Sequence, residues 1–266
     1  MVESGALASD IQILSGGQQT VFGTEVSAIL SNGATQYDYG SASNETVQSG
    51  GIQVVEAGAS ASGVTINGAQ YLYGSAKDDT VQSGGLVVVE NGGSVDGLHV
   101  NNGVVYVVSG AQVSGATMSG GTLELASGAA KTAVVTFTTS AGGILQLDGS
   151  QTFSGTISGF GEPEYLDLAD IAFNSTTTTV GFSAAGNNLS GTLTVSDGIH
   201  TANLTLLGQY TTAQFTKQSD GHGGTLIGDP PVNSVIASVL SPDVAQHHTD
   251  VTSNSSPPLS VCPKSS

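Results

Sequence analysis

The stretch TVQSGGIQVVEAG at residues 46–58 returns as TVQSGGLVVVENG at residues 80–92, 34 positions later. Residues 36–67 and 70–101 agree at 19 of 32 positions. A fixed internal period is the signature of a repeat architecture and constrains a fold more than any single motif. A finer period of 17 lies inside it. Gln19, Gln36, Gln53 and Gln70 are each 17 apart, and the next steps reach Val87 and Val104. Gly16, Gly33 and Gly50 echo the same spacing, as do Gly17, Gly51, Gly68 and Gly85, and then Gly23, Gly40 and Gly74. The pattern slips by one residue near Gly103 and resumes at Gly120 and Gly121.

Such a unit is too short for helical repeats, which need about 33 residues or more. Within each unit, short β-branched or aromatic runs (IQVV, QYLY, LVVV, VVYVV) are bounded by SGG, NG or SG. These are strand and turn signals in alternation. Glycine inside a strand costs about 0.5–1 kcal/mol in backbone entropy, so glycines that recur in register are expected at corners with positive φ. The economical fold is all-β. We expect a right-handed parallel β-helix (a β-solenoid) of about 17 residues per coil, stacked at about 4.8 Å, followed by a smaller β-rich C-terminal region. Residues 11–150 form the solenoid on this reading, roughly eight coils by its period. Residues 151–228 form a β-rich capping or export region, and residues 229–266 a disordered tail.

Val47, Val55, Val81 and Val89 are the expected core positions. The glutamines are expected to stack as an amide ladder that hydrogen-bonds from coil to coil, the alternative being a solvent-facing row. Glu45, Asp78 and Asp79 occupy one corner of two repeats and read as a solvated acidic edge.

Composition narrows function. The chain has 266 residues, with 21 acids against four lysines and no arginine, for a net charge of −17. Binding nucleic acid or an anionic membrane surface needs Lys/Arg, so both classes are set aside. One cysteine, Cys262, builds no disulfide framework or thiolate zinc site. The start, MVESGALASDIQ, has neither the basic n-region nor the apolar h-region of a Sec-type signal. No apolar run reaches the length of a membrane span, roughly 18 residues.

Catalytic groups are sparse. A uronate lyase needs a base and cations to neutralise the sugar carboxylate. The available lysines are Lys77, Lys131, Lys217 and Lys264, which do not assemble into such a site, and Lys77 replaces Ser43 of the earlier repeat. A glycosidase needs two placed carboxylates. Glu56 and Glu90 are equivalent positions two coils, roughly 10 Å, apart. Repeat drift is the simpler account of them. His99, His200, His222, His247 and His248 have no strong metal-site spacing, and His222 reads as a turn residue. No calcium-roll nonapeptide and no P-loop occur. No catalytic, cofactor-binding or metal-binding residue is therefore assigned, and no cofactor is expected.

The units GGQQTVFG, TVQSGGIQVVEAGASASG and INGAQYLYGSAKDD resemble the AIDA-type repeats of bacterial adhesin autotransporter passengers, over about residues 11–149. The resemblance implies a secreted or surface-exposed parallel β-helix, often adhesive and sometimes glycosylated on Ser/Thr. No segment of the length and alternation of an outer-membrane β-barrel follows the repeats. The sequences ISGFGEPEYLDLADIAF and SDGHGGTLIGDPP resemble the C-terminal blocks of RTX-like proteins exported by type I systems, with Glu162-Pro163-Glu164 where that pattern has Gly-Asp. Type I export would explain the missing N-terminal signal. Between residues 190 and 207, strands at 192–195 and 201–207 flank the turn pair Asp197-Gly198. NET, NST, NLS, NLT and NSS are formal N-glycosylation triplets.

The expected function is that of a non-enzymatic adhesive or structural repeat protein, extracellular or on a bacterial cell surface. Its expected partners are a host or neighbouring-cell surface, glycans or further copies of itself, with no nucleic acid and no membrane insertion. The alternatives are a carbohydrate-active β-helix enzyme, or a non-functional fragment of a larger secreted repeat protein.

Overall fold

The computed structural model describes residues 1–138 and 142–229. Among these there is no α-helix. The chain winds into a parallel β-solenoid with three faces. The broad face holds nine parallel strands, from Gln18–Val21 through Ile52–Val55 and Ala69–Leu72 to Tyr165–Leu168. A second face, here the serine face, holds seven strands from Leu7–Ser9 to Gln112–Val113. The third, narrow face starts at Gln12–Ile13 and stays parallel through Thr201–Leu207.

Each strand alternates inward and outward residues, as the two-residue pleat requires. The inward rows are apolar over most of the length. Val47, Val55, Val81 and Val89 are all fully buried, as the sequence pattern indicates. They belong to one continuous core that also includes Leu72, Leu98, Leu123, Leu145 and Leu166.

The 34-position echo has a geometric cause. Broad-face strands advance by an even step, pairing Ile52 with Ala69 and Ala69 with Leu86. On the serine face a long step, Ser41 to Ser60, is followed by a short one, Ser60 to Ser75. The corner after Val55 has four residues, 56–59, whereas the corner after Leu72 has two, Tyr73 and Gly74. The narrow-to-broad corner compensates, with four residues at 48–51 and two at Asn67 and Gly68. Coils of equal length but different corners thus alternate from Ile52 onward, and like matches like every second coil. The slip near Gly103 is a step one residue longer, which pairs Leu86 with Val104. It places Val105, not Val104, in the inward row behind Val87.

The recurrent glycines divide into two kinds. Gly16, Gly33 and Gly50 have φ of 75–78°, the left-handed turn that glycine adopts without strain. The expectation of positive φ fails for Gly23, Gly40, Gly74 and Gly85. There a Cβ would meet a carbonyl oxygen of the coil below at 2.1–2.4 Å. These residues are glycines because coils stack too closely for a side chain.

The sequence echo fades near 150, but parallel pairing begins before residue 11 and continues beyond 150, to Leu168 on the broad face and to Leu207 on the narrow face. Antiparallel strands then cover the end. Thr225–Gly228 pairs with Tyr165–Leu168 and carries Thr216–Ser219 on its outer side. Thr201–Leu207 extends the narrow face and turns back through Ser190–Ser196 to Thr179–Ala184. The hairpin therefore forms where DG marks it, with Ser196 opposite Thr201. The Asp197 carboxylate accepts the His200 and Ile199 amide N–H groups and faces His200 Nδ1 at 3.0 Å. Those donors, His200 first, hold it well below the usual carboxylate range. Phe160, Phe182 and Tyr210 gather around Phe215, with ring centroids 5.6–6.4 Å away. The last coil is therefore not left with a bare pairing edge of the kind that templates aggregation. Residues 230–266, with His247, His248 and Cys262 of the expected tail, lie outside the described residues.

Candidate functional site

The four glutamines stack in register on the broad face, Gln19 on Gln36 on Gln53 on Gln70. They point inward and are buried, so the solvent-facing alternative is excluded. The amide ladder itself holds at one step, where Gln70 Nε2 donates to Gln53 Oε1 at 3.0 Å. The other amides turn to carboxylates inside the solenoid. Gln19 Nε2 donates to Glu25 at 2.9 Å. Gln36 Nε2 lies 2.8–3.1 Å from Glu25, Asp38 and Glu45. Gln53 Nε2 donates to Asp38 and Glu45, and Gln70 Nε2 to Asp79. The column ends where Val87 replaces glutamine.

Glu45 and Asp79 are therefore not a solvated edge; both are buried, at 1% and 0% exposure, and only Asp78 faces solvent. The corner explains the reversal. Asn44 and Asp78 adopt left-handed φ of 54° and 56°, which turns the following residue into the core. The equivalents of Glu45 and Asp79 on neighbouring coils are Ala28, Val64 and Leu98, all fully buried. That apolar column is the sequence signal which marks the position as interior.

Burying an unpaired carboxylate is costly, and the group responds by holding its proton. Burial raises Glu25, pushes Asp38 up to about 7, Glu45 to about 9 and Asp79 to about 6. Hydrogen bonds from Gln36 to Asp38 and from Gln70 to Asp79 oppose the rise, and Asp38 adds to it at Glu45. The bonding inventory agrees. Gln36 Nε2 has two N–H groups for three carboxylates, and Gln19, Gln36 and Gln70 Oε1 are buried without a donor. A protonated carboxyl has an O–H that can donate to such an amide oxygen. The column holds a proton at Glu45 in neutral solution, and takes up protons at Asp38 and Asp79 as pH falls to about 7 and about 6.

The outside of the solenoid presents an open groove of about 600 Å³ along the serine face. One wall row runs Ser41, Ser60, Ser75, Ser94 in register; the other runs Ser43, Ser62, Lys77, Asp96. Its floor is strand backbone, because Ala61, Ala76 and Val95 turn their side chains into the core. Ser41 and Ser60 hydroxyls are 3.2 Å apart, and Ser114 Oγ donates to Asp96. Lys77 ends the serine-face strand Ser75–Lys77.

Glu56 and Glu90 sit two coils apart, as expected, with Tyr73 between them. His99 faces outward beside Thr80 and Thr117, and His222 lies in a turn held by Asp220 Oδ1. No group of three or more His, Cys, Asp or Glu with metal-binding geometry occurs among the described residues. No helix there is long and apolar enough to cross a membrane.

No known family model matches the chain, and no curated protein matches it. Among solved structures the chain is similar to a TibC-catalysed, hyper-glycosylated TibA fragment. The match is 25% identical, covers 59% of this chain and 69% of that one, and has a TM-score of 0.42.

Proposed function

We propose that this chain is an exported adhesive or structural repeat protein, working through the outer surface of its solenoid rather than through a catalytic site. The serine-face groove carries the reading. Rungs spaced by the coil rise of about 4.8 Å offer a long, shallow row of outward-facing hydroxyls. Hydroxyl rows both donate and accept, which suits many weak bonds to the hydroxyls of a glycan chain. The AIDA-like units at residues 11–149 support placement outside the cell or on a bacterial surface. The C-terminal block at residues 157–173 supports type I export, although Leu166-Asp167-Leu168 serves locally as the last parallel strand. Self-association through the same face is the other partner class.

The test is binding of the full chain to a panel of polysaccharides and bacterial cells, beside a Ser75→Trp/Ser94→Trp variant that fills the groove. Loss of hydroxyl contacts and of groove space is expected to weaken binding about tenfold or more, equal to about 1.4 kcal/mol. Thr65→Trp, on the narrow face, is expected to bind as wild type. Binding that ignores the groove variant, or none across the panel, contradicts the reading. Release of glycan fragments that stops on Glu56→Gln or Glu90→Gln would establish the enzyme alternative instead.

A further inference from the structure

A second outer column lies at the corner where the broad face turns into the serine face. The amide N–H groups of Tyr39, Glu56, Tyr73 and Glu90 donate to Val21, Asp38, Val55 and Leu72 of the coil below. This register places Phe22, Tyr39, Glu56, Tyr73 and Glu90 on five successive coils. The three rings are exposed, Phe22 at 44%, Tyr39 at 46% and Tyr73 at 37%. Phe22 and Tyr39 stack with centroids 5.1 Å apart and planes 18° apart. Burial first, and then the nearby glutamates, raise both hydroxyls above the ordinary tyrosine value: Glu56 at Tyr39, and Glu90 and Glu56 at Tyr73.

The alternation follows from the double coil. Aromatic residues open the two-residue corners and glutamates the four-residue corners, so ring and carboxylate succeed one another up the axis. Large exposed aromatic patches on a soluble surface mark contact sites.

We propose that this corner binds a linear polysaccharide carrying free amino groups, laid along the solenoid axis. The flat apolar face of a pyranose packs on an exposed aromatic ring, and an ammonium is favoured over a tyrosine face and beside a carboxylate. A pyranose in an extended chain advances by close to one coil rise, so successive sugars meet ring and carboxylate in turn. An extended peptide advances by about 3.3 Å per residue and falls out of step with the rungs. The chain's net charge of −17 draws in a polycation. This site is separate from the serine groove, and either can fail without the other.

The test is calorimetric titration of the full chain with deacetylated chitosan oligomers, their fully N-acetylated counterparts and polylysine, at mildly acidic pH. Chitosan is expected to bind, with N-acetylated oligomers of equal length at least about tenfold weaker, because partly exposed charge pairs contribute up to about 1 kcal/mol each. A Glu56→Gln/Glu90→Gln double variant is expected to lose a similar factor while keeping the salt dependence that comes from the remaining net charge. Tyr73→Ala is expected to weaken chitosan about fivefold while leaving polylysine unchanged, since stacking on a ring contributes about 1 kcal/mol. Circular dichroism and a melting temperature close to wild type show that these surface variants are folded. Equal binding of the N-acetylated oligomer, polylysine binding as tightly as chitosan, or a double variant that binds as wild type would overturn the proposal.

Discussion

Raising the pH from 5 to 9 is expected to lower the melting temperature by on the order of 10 °C, because each tenfold change in proton affinity on folding carries about 1.4 kcal/mol of linked stability. The sign follows from the column. Asp38, Glu45 and Asp79 are pushed up from ordinary values of 3.8, 4.5 and 3.8. The folded state then binds more protons than the unfolded chain between those values and about 6–9. Their contribution is fully present below the ordinary carboxylate range and is lost as pH rises through the folded values. Glu124 and Asp167, each raised to about 7 mainly by burial, act in the same direction. General repulsion in a chain of charge −17 also grows with pH, so a variant is needed to separate the two. Glu45→Gln keeps the shape and removes the titration; it is expected to flatten the pH dependence and raise stability at pH 9. Glu56→Gln removes one outer charge and is expected to leave the slope nearly unchanged. Equal slopes in wild type and Glu45→Gln would contradict a proton-holding interior.

Gly40→Ala is expected to cost about 3 kcal/mol or more, a larger loss than most single substitutions cause. The added Cβ would sit 2.1 Å from the Gly23 carbonyl oxygen and 2.8 Å from Phe22 backbone atoms. Relief requires moving two coils apart beside ladders that hold them at about 4.8 Å. Gly58→Ala makes the comparison. Gly58 has φ of 86° and nothing within 4 Å of the added atom, so it is expected to lose only about 1 kcal/mol through left-handed strain. Urea unfolding of the three proteins measures both losses. The reverse order would mean that the corners do not stack as described.

The solenoid was legible because strand and turn chemistry repeats, and repetition averages out local ambiguity. The buried valines followed from the same alternation. What misled was reading charge one residue at a time. Glu45 and Asp79 look solvated along the chain; only across coils, beside Ala28, Val64 and Leu98, do they read as interior. Asp38 and Glu25 hide similarly in rows of Val21, Val55 and Leu72, and of Ala42, Ala61 and Ala76. The glutamine period was visible, but most of its bonding was not, because Glu25, Glu45 and Asp79 come from the serine face and its corner; only Asp38 shares the glutamine face. The close-packed glycines carried no separate signal, since a turn glycine and a stacking glycine are spelled alike. The end cover after Leu168 lacks a period, and its pairing to the last coil is a long-range matter that local pattern does not encode.

The most direct measurement is hydrogen exchange of the full chain with and without a ligand drawn from the polysaccharide and cell panel. The account predicts ligand-dependent protection along the serine face, at residues 60–62, 75–77 and 94–96, in a stripe crossing several coils. Protection confined to residues 151–229, or no change with any ligand, would contradict a protein that works through the outer surface of its solenoid.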